Sequence, residues 1–410
     1  MEYKIRQLFL KDKSEAEKEF ARIKATSHGI RIMSEKLFNL VLKIKEVDNK
    51  AANIIKQEML SRNGEAVISR ESIYLGNGKS DIIIFGTEKN IRSLAEKIKS
   101  QPFGLKSLSS EIKAFLDRKD DYEIKTDLKI AGKVFQKSEK PLIMGILNLT
   151  PDSFYDGGKY SSPDDAYRKA SEMISEGVSI IDVGGMSTRP GSEEIDIEEE
   201  IKRTIPLIKK IKKNNDVLVS IDTYRSRVAE KAIDAGADII NDISGLMLDN
   251  KMKNVAASNN ADIIIMHMKG TPRDMQTNPV YEDVVEEIYS FFYSQINYAV
   301  EAGIDREKII IDPGIGFGKT VNDNYTILKN IEEFKSLNMP VMIGASRKSF
   351  IGAVLKLLPE ERLEGSLAIA SYCALKGIDI LRVHDVRETI RAVKVINAIT
   401  YGYDRKCLKY

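Results

Sequence analysis

Eight short apolar runs in this chain each end on polar residues, and those residues are the ones able to do chemistry. In order they are Asn148, Asp182, Asp222, Asn241 with Asp242, His267, Asp312, Ser346 with Arg347 and Lys348, and Arg382 with His384. A carboxylate such as Asp312 accepts two donors at once, which suits a flat heterocycle bearing an N–H and an amino group. Phe317, flanked by Gly316 and Gly318, can lie against such a ring. Arg382 and His384 are two residues apart, so on a strand they share a face and make a clamp for diphosphate. The segment Gly344–Phe350 opens a helix, and a helix N-terminus with a Lys and two Ser residues suits an anion.

Two loops add to this set. In Met144–Gly158, Asn148 offers a neutral oxygen suited to a hard cation, and Asp152 and Asp156 can complete a Mg²⁺–phosphate site. Gly157 and Gly158 let that loop close over substrate. In Ile181–Gly191, Thr188 and Arg189 present a hydroxyl and a guanidinium to a phosphate or carboxylate. Asp312-Pro-Gly-Ile-Gly-Phe-Gly-Lys319 looks like a nucleotide phosphate loop, but from Gly314 the required second glycine falls on Lys319, which excludes that reading. Of the three histidines, His267 and His384 fall at run ends and His28 lies elsewhere. No Cys or Ser nucleophile has an adjacent base, so no covalent enzyme intermediate is expected.

Something must bring these run ends together. The runs are Pro141–Leu147, Ser179–Val183, Val217–Ile221, Asp238–Ile240, Asp262–Met266, Lys308–Ile311, Pro340–Ile343 and Ile378–Leu381. Helical patterns separate them, among them Ala166–Ser175, Ile197–Lys212, Ser226–Ala235, Tyr281–Ala302, Leu328–Ser336 and Ser366–Lys376. Strands alternating with helices predict parallel pairing. Eight units predict a (β/α)₈ TIM barrel, whose post-strand loops converge on one mouth. Asp, Asn and Ser also favour helix N-caps, but capping alone does not put polar residues at all eight junctions.

The chain has 410 residues, which predicts two domains: a small α/β module over 1–120 and the barrel over 121–410. In the module, Glu2–Phe9 reads as a strand, and Ser14–Ala25, Asn49–Ser61 and Glu88–Lys99 read as helices. Glu65–Leu75 and Asp81–Gly86 read as a hairpin around Gly76-Asn77-Gly78. The charged stretch Asp117–Asp121 marks the expected boundary, and Lys125–Phe135 a hairpin closing the barrel bottom. A net charge of +2 gives no reason to expect nucleic acid or membrane as a partner. Two cysteines make no disulfide framework, and the short charged start is unlike a signal peptide, so the cytoplasm is expected.

The order and wording of the motifs resemble dihydropteroate synthases over roughly residues 121–410. The resemblance rests on Asn148–Gly158, Ser187–Gly191, Asp312–Gly318, Ser346–Phe350 and Arg382–Val386. It implies transfer of a pterinylmethyl group from 6-hydroxymethyl-7,8-dihydropterin diphosphate to 4-aminobenzoate or a related arylamine, with Mg²⁺ as cofactor, in a homodimer. It implies that Asp222, Asn241, Asp312 and Lys348 hold the pterin. Asn148 would serve Mg²⁺ and diphosphate, with Arg189, Arg382 and His384 also on the diphosphate. Phe154, Thr188, Pro190, Phe317 and Ser349 would wall the arylamine site. Asp156, Asp222 and Lys348 would carry the catalysis, Asp156 beside the reacting methylene. One position departs: Met186 stands where the family usually has Glu. A pterin-dependent methyltransferase would share the Asp and Asn contacts but has no use for a diphosphate clamp, and a non-catalytic pterin-binding barrel is favoured only by Met186.

Overall fold

The protein is described by a computed structural model covering residues 3–124, 127–149, 163–186, 195–272 and 274–402. It divides into two compact units, Met1–Ile124 and Lys125–Tyr410.

The first unit runs α1 (Lys13–Arg22), α2 (Ser27–Leu37), β1 (Asn39–Asp48), α3 (Asn49–Leu60), β2 (Glu65–Val67), α4 (Arg70–Ile73), β3 (Lys79–Thr87), α5 (Glu88–Ile98) and α6 (Leu105–Ile124). The sheet has the order β1-β3-β2 and is antiparallel throughout. Alternation along β3 buries Ile82 and Ile84 and leaves Ile83 and Phe85 exposed, so only one sheet face meets the core. Asp48 and Thr87 end strands and cap the helices that follow, each accepting a backbone N–H. The expected strand Glu2–Phe9 does not form over its described residues: Tyr3, Ile5 and Phe9 stay exposed, with no neighbouring strand to complete a ladder. β2 and β3 do pair, but Ser69 caps the one-turn helix α4 between them, so the connection is longer than a tight hairpin. The charged stretch 117–121 lies inside α6.

The second unit starts with the hairpin β4 (Leu128–Ile130) and β5 (Lys133–Phe135). Eight parallel strands follow with their helices: β6 (Leu142–Asn148), α7 (Pro163–Glu176), β7 (Ile180–Gly184), α8 (Ile197–Asn214), β8 (Leu218–Asp222), α9 (Ser226–Asp234), β9 (Ile239–Asp242), α10 (Met252–Ser258), β10 (Asp262–Met266), α11 (Val284–Glu301), β11 (Ile309–Asp312), α12 (Val321–Lys329), β12 (Met342–Ile343), α13 (Ser349–Leu355), α14 (Leu363–Leu375), β13 (Ile380–Val383) and α15 (Val386–Tyr401). The strand order is β11-β10-β9-β8-β7-β6-β13-β12, and a parallel bridge between Ile311 and Val341 closes the barrel. The expected helix Leu328–Ser336 is broken. α12 ends at Lys329, where the Asn330 side chain bonds back to the Thr326 carbonyl at 2.9 Å, and a 3₁₀ segment, Ile331–Leu337, follows.

Strand alternation sorts the barrel interior by height. Leu142, Ile180, Leu218, Ile239, Ile264, Ile310, Met342 and Ile380 fill the lower interior, with Leu128 and Ile130 of the hairpin packed beneath them. Two residues further along the same inward faces stand Asp182, Ser220, Asn241, Asp312 and Arg382. The polar mouth is therefore the continuation of an apolar plug that holds the strands in place.

Candidate active site

A row in register crosses four adjacent strands: Asn148, Gly184, Asp222 and Asn241. Arg382 reaches this row from β13. Its Nε donates to Asp182 Oδ2 and its Nη2 to Asp222 Oδ2, both at 2.6 Å, and Asn241 Nδ2 donates to Asp182 Oδ2 at 3.2 Å. One guanidinium thus faces two buried carboxylates. Burial pushes the Asp222 carboxyl up to about 7, opposed by Arg382 and reinforced by Asp182, Glu200 and Asp242. Oδ1 of Asp182, Asp222 and Asn241 are all buried without a partner. Buried polar atoms are nearly always bonded, so three orphaned acceptors at one mouth point to a ligand rich in N–H donors.

Asp312 stands at the end of β11 and is 4% exposed. Its Oδ1 accepts the Gly314 N–H at 2.7 Å, and burial raises its carboxyl, opposed by Lys348. Lys348 donates to the Ile315 carbonyl and sits 4.4 Å above the Phe317 ring. Burial pulls its ammonium down to about 8, with Asp312 holding it up. Gly314 and Gly316 have φ of 67° and 82°, and a Cβ on Gly316 would lie 3.0 Å from Lys348 Cδ. Glycine is therefore what allows the loop to pass under the lysine. Lys319, 3% exposed, closes the loop from behind with its Nζ 3.0 Å from His267 Nδ1. Burial pulls it down to about 7, opposed by Asp312.

The ends of β12 and β13 carry Ser346 and His384. Ser346 Oγ accepts the His384 N–H at 3.3 Å and lies 3.2 Å from His384 Nδ1, which orients the imidazole. Ser349 is exposed at the start of α13. Arg347 is not part of the clamp. Its guanidinium forms a two-pronged pair with Asp385 at 2.8 and 2.7 Å and donates to the carbonyls of Pro359 and Glu360. Asp242 is likewise structural, accepting from Ser244 N, Ser244 Oγ and Leu246 N.

Among the described residues no group of three or more His, Cys, Asp or Glu could hold a metal ion. Asn148 Oδ1 lies 3.0 Å from where a Cβ on Gly184 would stand, so the glycine keeps space open between Asn148 and Asp222. One amide oxygen beside open space suits a Mg²⁺ carried largely by substrate phosphates and water, and does not suit a metal bound by protein alone.

The fold sets Asp222 beside Asn241 and Lys348 over Phe317 and near Asp312, with Asn148, Arg382 and His384 also at strand ends of the barrel mouth. Phe154, Asp156, Thr188, Arg189 and Pro190 lie outside the described residues. Two site residues went unassigned in the sequence. Asp182 was visible as a run end, but nothing local shows that Arg382, 200 residues on, pairs with it. Lys319 was seen only as the residue that spoils a nucleotide loop.

A closed parallel barrel whose mouth carries unpartnered buried acceptors interleaved with Arg382 and Lys348 defines an enzyme for a flat, donor-rich heterocycle. The pterin binding enzyme family model matches residues 144–384, which spans every site residue from Asn148 to His384. The chain belongs to that family. It is 48% identical over 261 residues to the dihydropteroate synthase of Bacillus subtilis, covering 64% of this chain and 89% of that one. A Xanthomonas albilineans dihydropteroate synthase solved with 4-aminobenzoic acid superposes with a TM-score of 0.62 at 38% identity, over 67% of this chain and 98% of that one. A probable bifunctional folylpolyglutamate synthase/dihydropteroate synthase of Halobacterium salinarum is 37% identical over 383 residues, 93% of this chain and 46% of that one. A match of that length takes in most of the N-terminal unit as well.

Proposed function

We infer that the protein is a dihydropteroate synthase, which condenses 6-hydroxymethyl-7,8-dihydropterin diphosphate with 4-aminobenzoate or a related arylamine. A C–N bond forms at the pterin methylene, the C–O bond to diphosphate breaks, and the amine loses a proton. The observation that carries this reading is the cluster of unpartnered buried acceptors on Asp182, Asp222 and Asn241 gathered around Arg382, whose charge Asp312 also feels. Asp312 and Asn241 orient the pterin by accepting its ring N–H and amino donors. Lys348 closes the site on the Asp312 side, with its ammonium over the Phe317 ring. His384, oriented by Ser346, and Arg382 favour the diphosphate as it leaves. Positive charge placed where negative charge develops contributes several kcal/mol, roughly, to such a step. The Asp222 carboxylate, paired with Arg382, favours cationic character at the methylene.

Mg²⁺ bound to the diphosphate, with Asn148 as its protein ligand, would neutralise phosphate charge. Asp156 and Arg189 would act on the methylene and diphosphate, and Phe154, Thr188, Pro190, Phe317 and Ser349 would hold the arylamine. We also propose a homodimer. α13, α14 and α15 follow one another around the barrel and carry exposed Val354, Leu355, Tyr372, Leu375, Val395 and Ile399, an apolar surface that a second copy would cover. Turnover with pterin diphosphate, 4-aminobenzoate and Mg²⁺ tests the reading. Stoichiometric diphosphate and a pteroate product are expected. Binding of pterin without arylamine-dependent diphosphate release overturns it.

A further inference from the structure

We propose that Lys319 is a positioning residue for the arylamine half of the reaction, holding the Phe317 carbonyl against the end of β10 and so fixing the ring that walls the site. The inference rests on the function proposed above. Lys319 follows the glycine loop and points back under it. Its Nζ lies 2.9 Å from the Phe317 carbonyl oxygen, 3.2 Å from the His267 carbonyl oxygen and 3.0 Å from His267 Nδ1.

In its protonated form Lys319 has three N–H donors and no acceptor, and three acceptors surround it. The match is complete only if His267 is neutral with its proton on Nε2, leaving Nδ1 as the acceptor. Its surroundings favour that form: burial first, then the Lys319 and Lys269 ammoniums, hold the imidazole far below its ordinary value. The His267 ring is itself fixed edge-on to Phe291, with centroids 4.9 Å apart. Lys319 therefore joins a rigid point on β10 to one carbonyl of the loop.

The other groups of the loop are held by different means. Gly316 N donates to Asn324 Oδ1 at 2.6 Å, Gln276 Nε2 donates to the Gly316 carbonyl at 2.7 Å, and Tyr281 Oη donates to the Gly318 carbonyl at 2.7 Å. These bonds fix the loop on either side of Phe317. The Phe317 carbonyl accepts from the buried lysine, and the Phe317 ring lies beneath Lys348. Loss of Lys319 would let the Phe317 peptide turn and carry the ring away from Lys348, while Asp312 keeps its own bond to Gly314. The arylamine site would loosen more than the pterin site, whose Asp312 stays in place.

The test uses the full chain with Lys319→Met, which fills the same space without donors, and Lys319→Gln as a second variant that keeps two donors. The KM for 4-aminobenzoate should rise about tenfold in Lys319→Met, the scale of one lost hydrogen bond to a charged group. The Kd for pterin diphosphate, measured by calorimetry without arylamine, should stay within about threefold of the parent on the same reasoning. Because Lys319 acts through Phe317, Lys319→Met added to Phe317→Leu should raise the KM no further than Phe317→Leu alone. Unchanged KM, equal weakening of both substrates, or additive effects in the double variant would overturn the proposal. Failure of both single variants to fold would also overturn it, since Lys319 would then serve the fold alone. A parent chain without turnover would count against the function reading, which the variants do not test.

Discussion

Asp312→Asn separates a site role from a fold role in one atom. Asp312 Oδ1 accepts the Gly314 N–H at 2.7 Å, and the asparagine oxygen can keep that bond. The bond to the loop survives, and Nδ2 takes the place of Oδ2. That atom now meets the donors of the pterin edge with a donor of its own. A hydrogen bond to a charged group contributes about 1.5–3 kcal/mol. At about 1.4 kcal/mol per factor of ten, pterin affinity should fall roughly 10- to 100-fold. A second consequence follows from Lys348. Burial lowers its ammonium to about 8, and the Asp312 carboxylate, ahead of Asp222, opposes the fall. A neutral residue at 312 removes that support, so Lys348 should lose its proton at lower pH. The basic limb of the kcat/KM profile should therefore move to the acid side. Calorimetry with the pterin ligand and a kcat/KM titration check both effects on one protein. Affinity within threefold of the parent together with an unmoved basic limb would refute the placement of Asp312 in the site.

His384→Ala should weaken diphosphate binding while leaving the affinity for unphosphorylated hydroxymethylpterin nearly unchanged, as calorimetry with the two ligands would show. Arg382→Ala should act first on the fold: it leaves Asp182 and Asp222 facing each other without their cation, and breaking a buried pair costs about 3–5 kcal/mol, read as a fall in Tm. The kcat/KM profile should be bell-shaped. Asp222 takes up a proton as pH falls through about 7, losing the charge that faces Arg382, and Lys348 loses its proton as pH rises through about 8. Lys348→Arg should move the basic limb upward, because a guanidinium keeps its charge.

The barrel was legible because it repeats: eight β-branched runs, each ending on a polar residue, predict parallel strands and one polar mouth. Within that mouth, residues joined to a strand end by local alternation were readable, as with Arg382 and His384 on one face. Pairings across the barrel were not. Asp182 meets Arg382 only because β7 and β13 flank β6. Arg347 was visible only as a run end, and nothing local shows that its side chain pairs with Asp385, 38 residues on. Lys319 was hidden by its surroundings, since three acceptors drawn from its own loop and β10 leave no spacing signature. In the N-terminal unit, β1 alternates Leu40, Leu42 and Ile44 with Val41, Lys43 and Lys45, a pattern that its charged residues obscure. There the short helix α4 also follows from Ser69, whose capping role competes with the strand reading of Glu65–Leu75.

The central claim is that Asp312 and Asn241 hold the pterin ring and that His384 meets the diphosphate. A crystal structure of the protein with pterin diphosphate and Mg²⁺ tests it most directly. The account predicts the ring edge on Asp312 and Asn241, the unpartnered Oδ1 atoms of Asp222 or Asp182 taking up a donor, and the diphosphate against His384 with Mg²⁺ at Asn148. A ring bound away from Asp312, or a diphosphate that leaves His384 untouched, would contradict it.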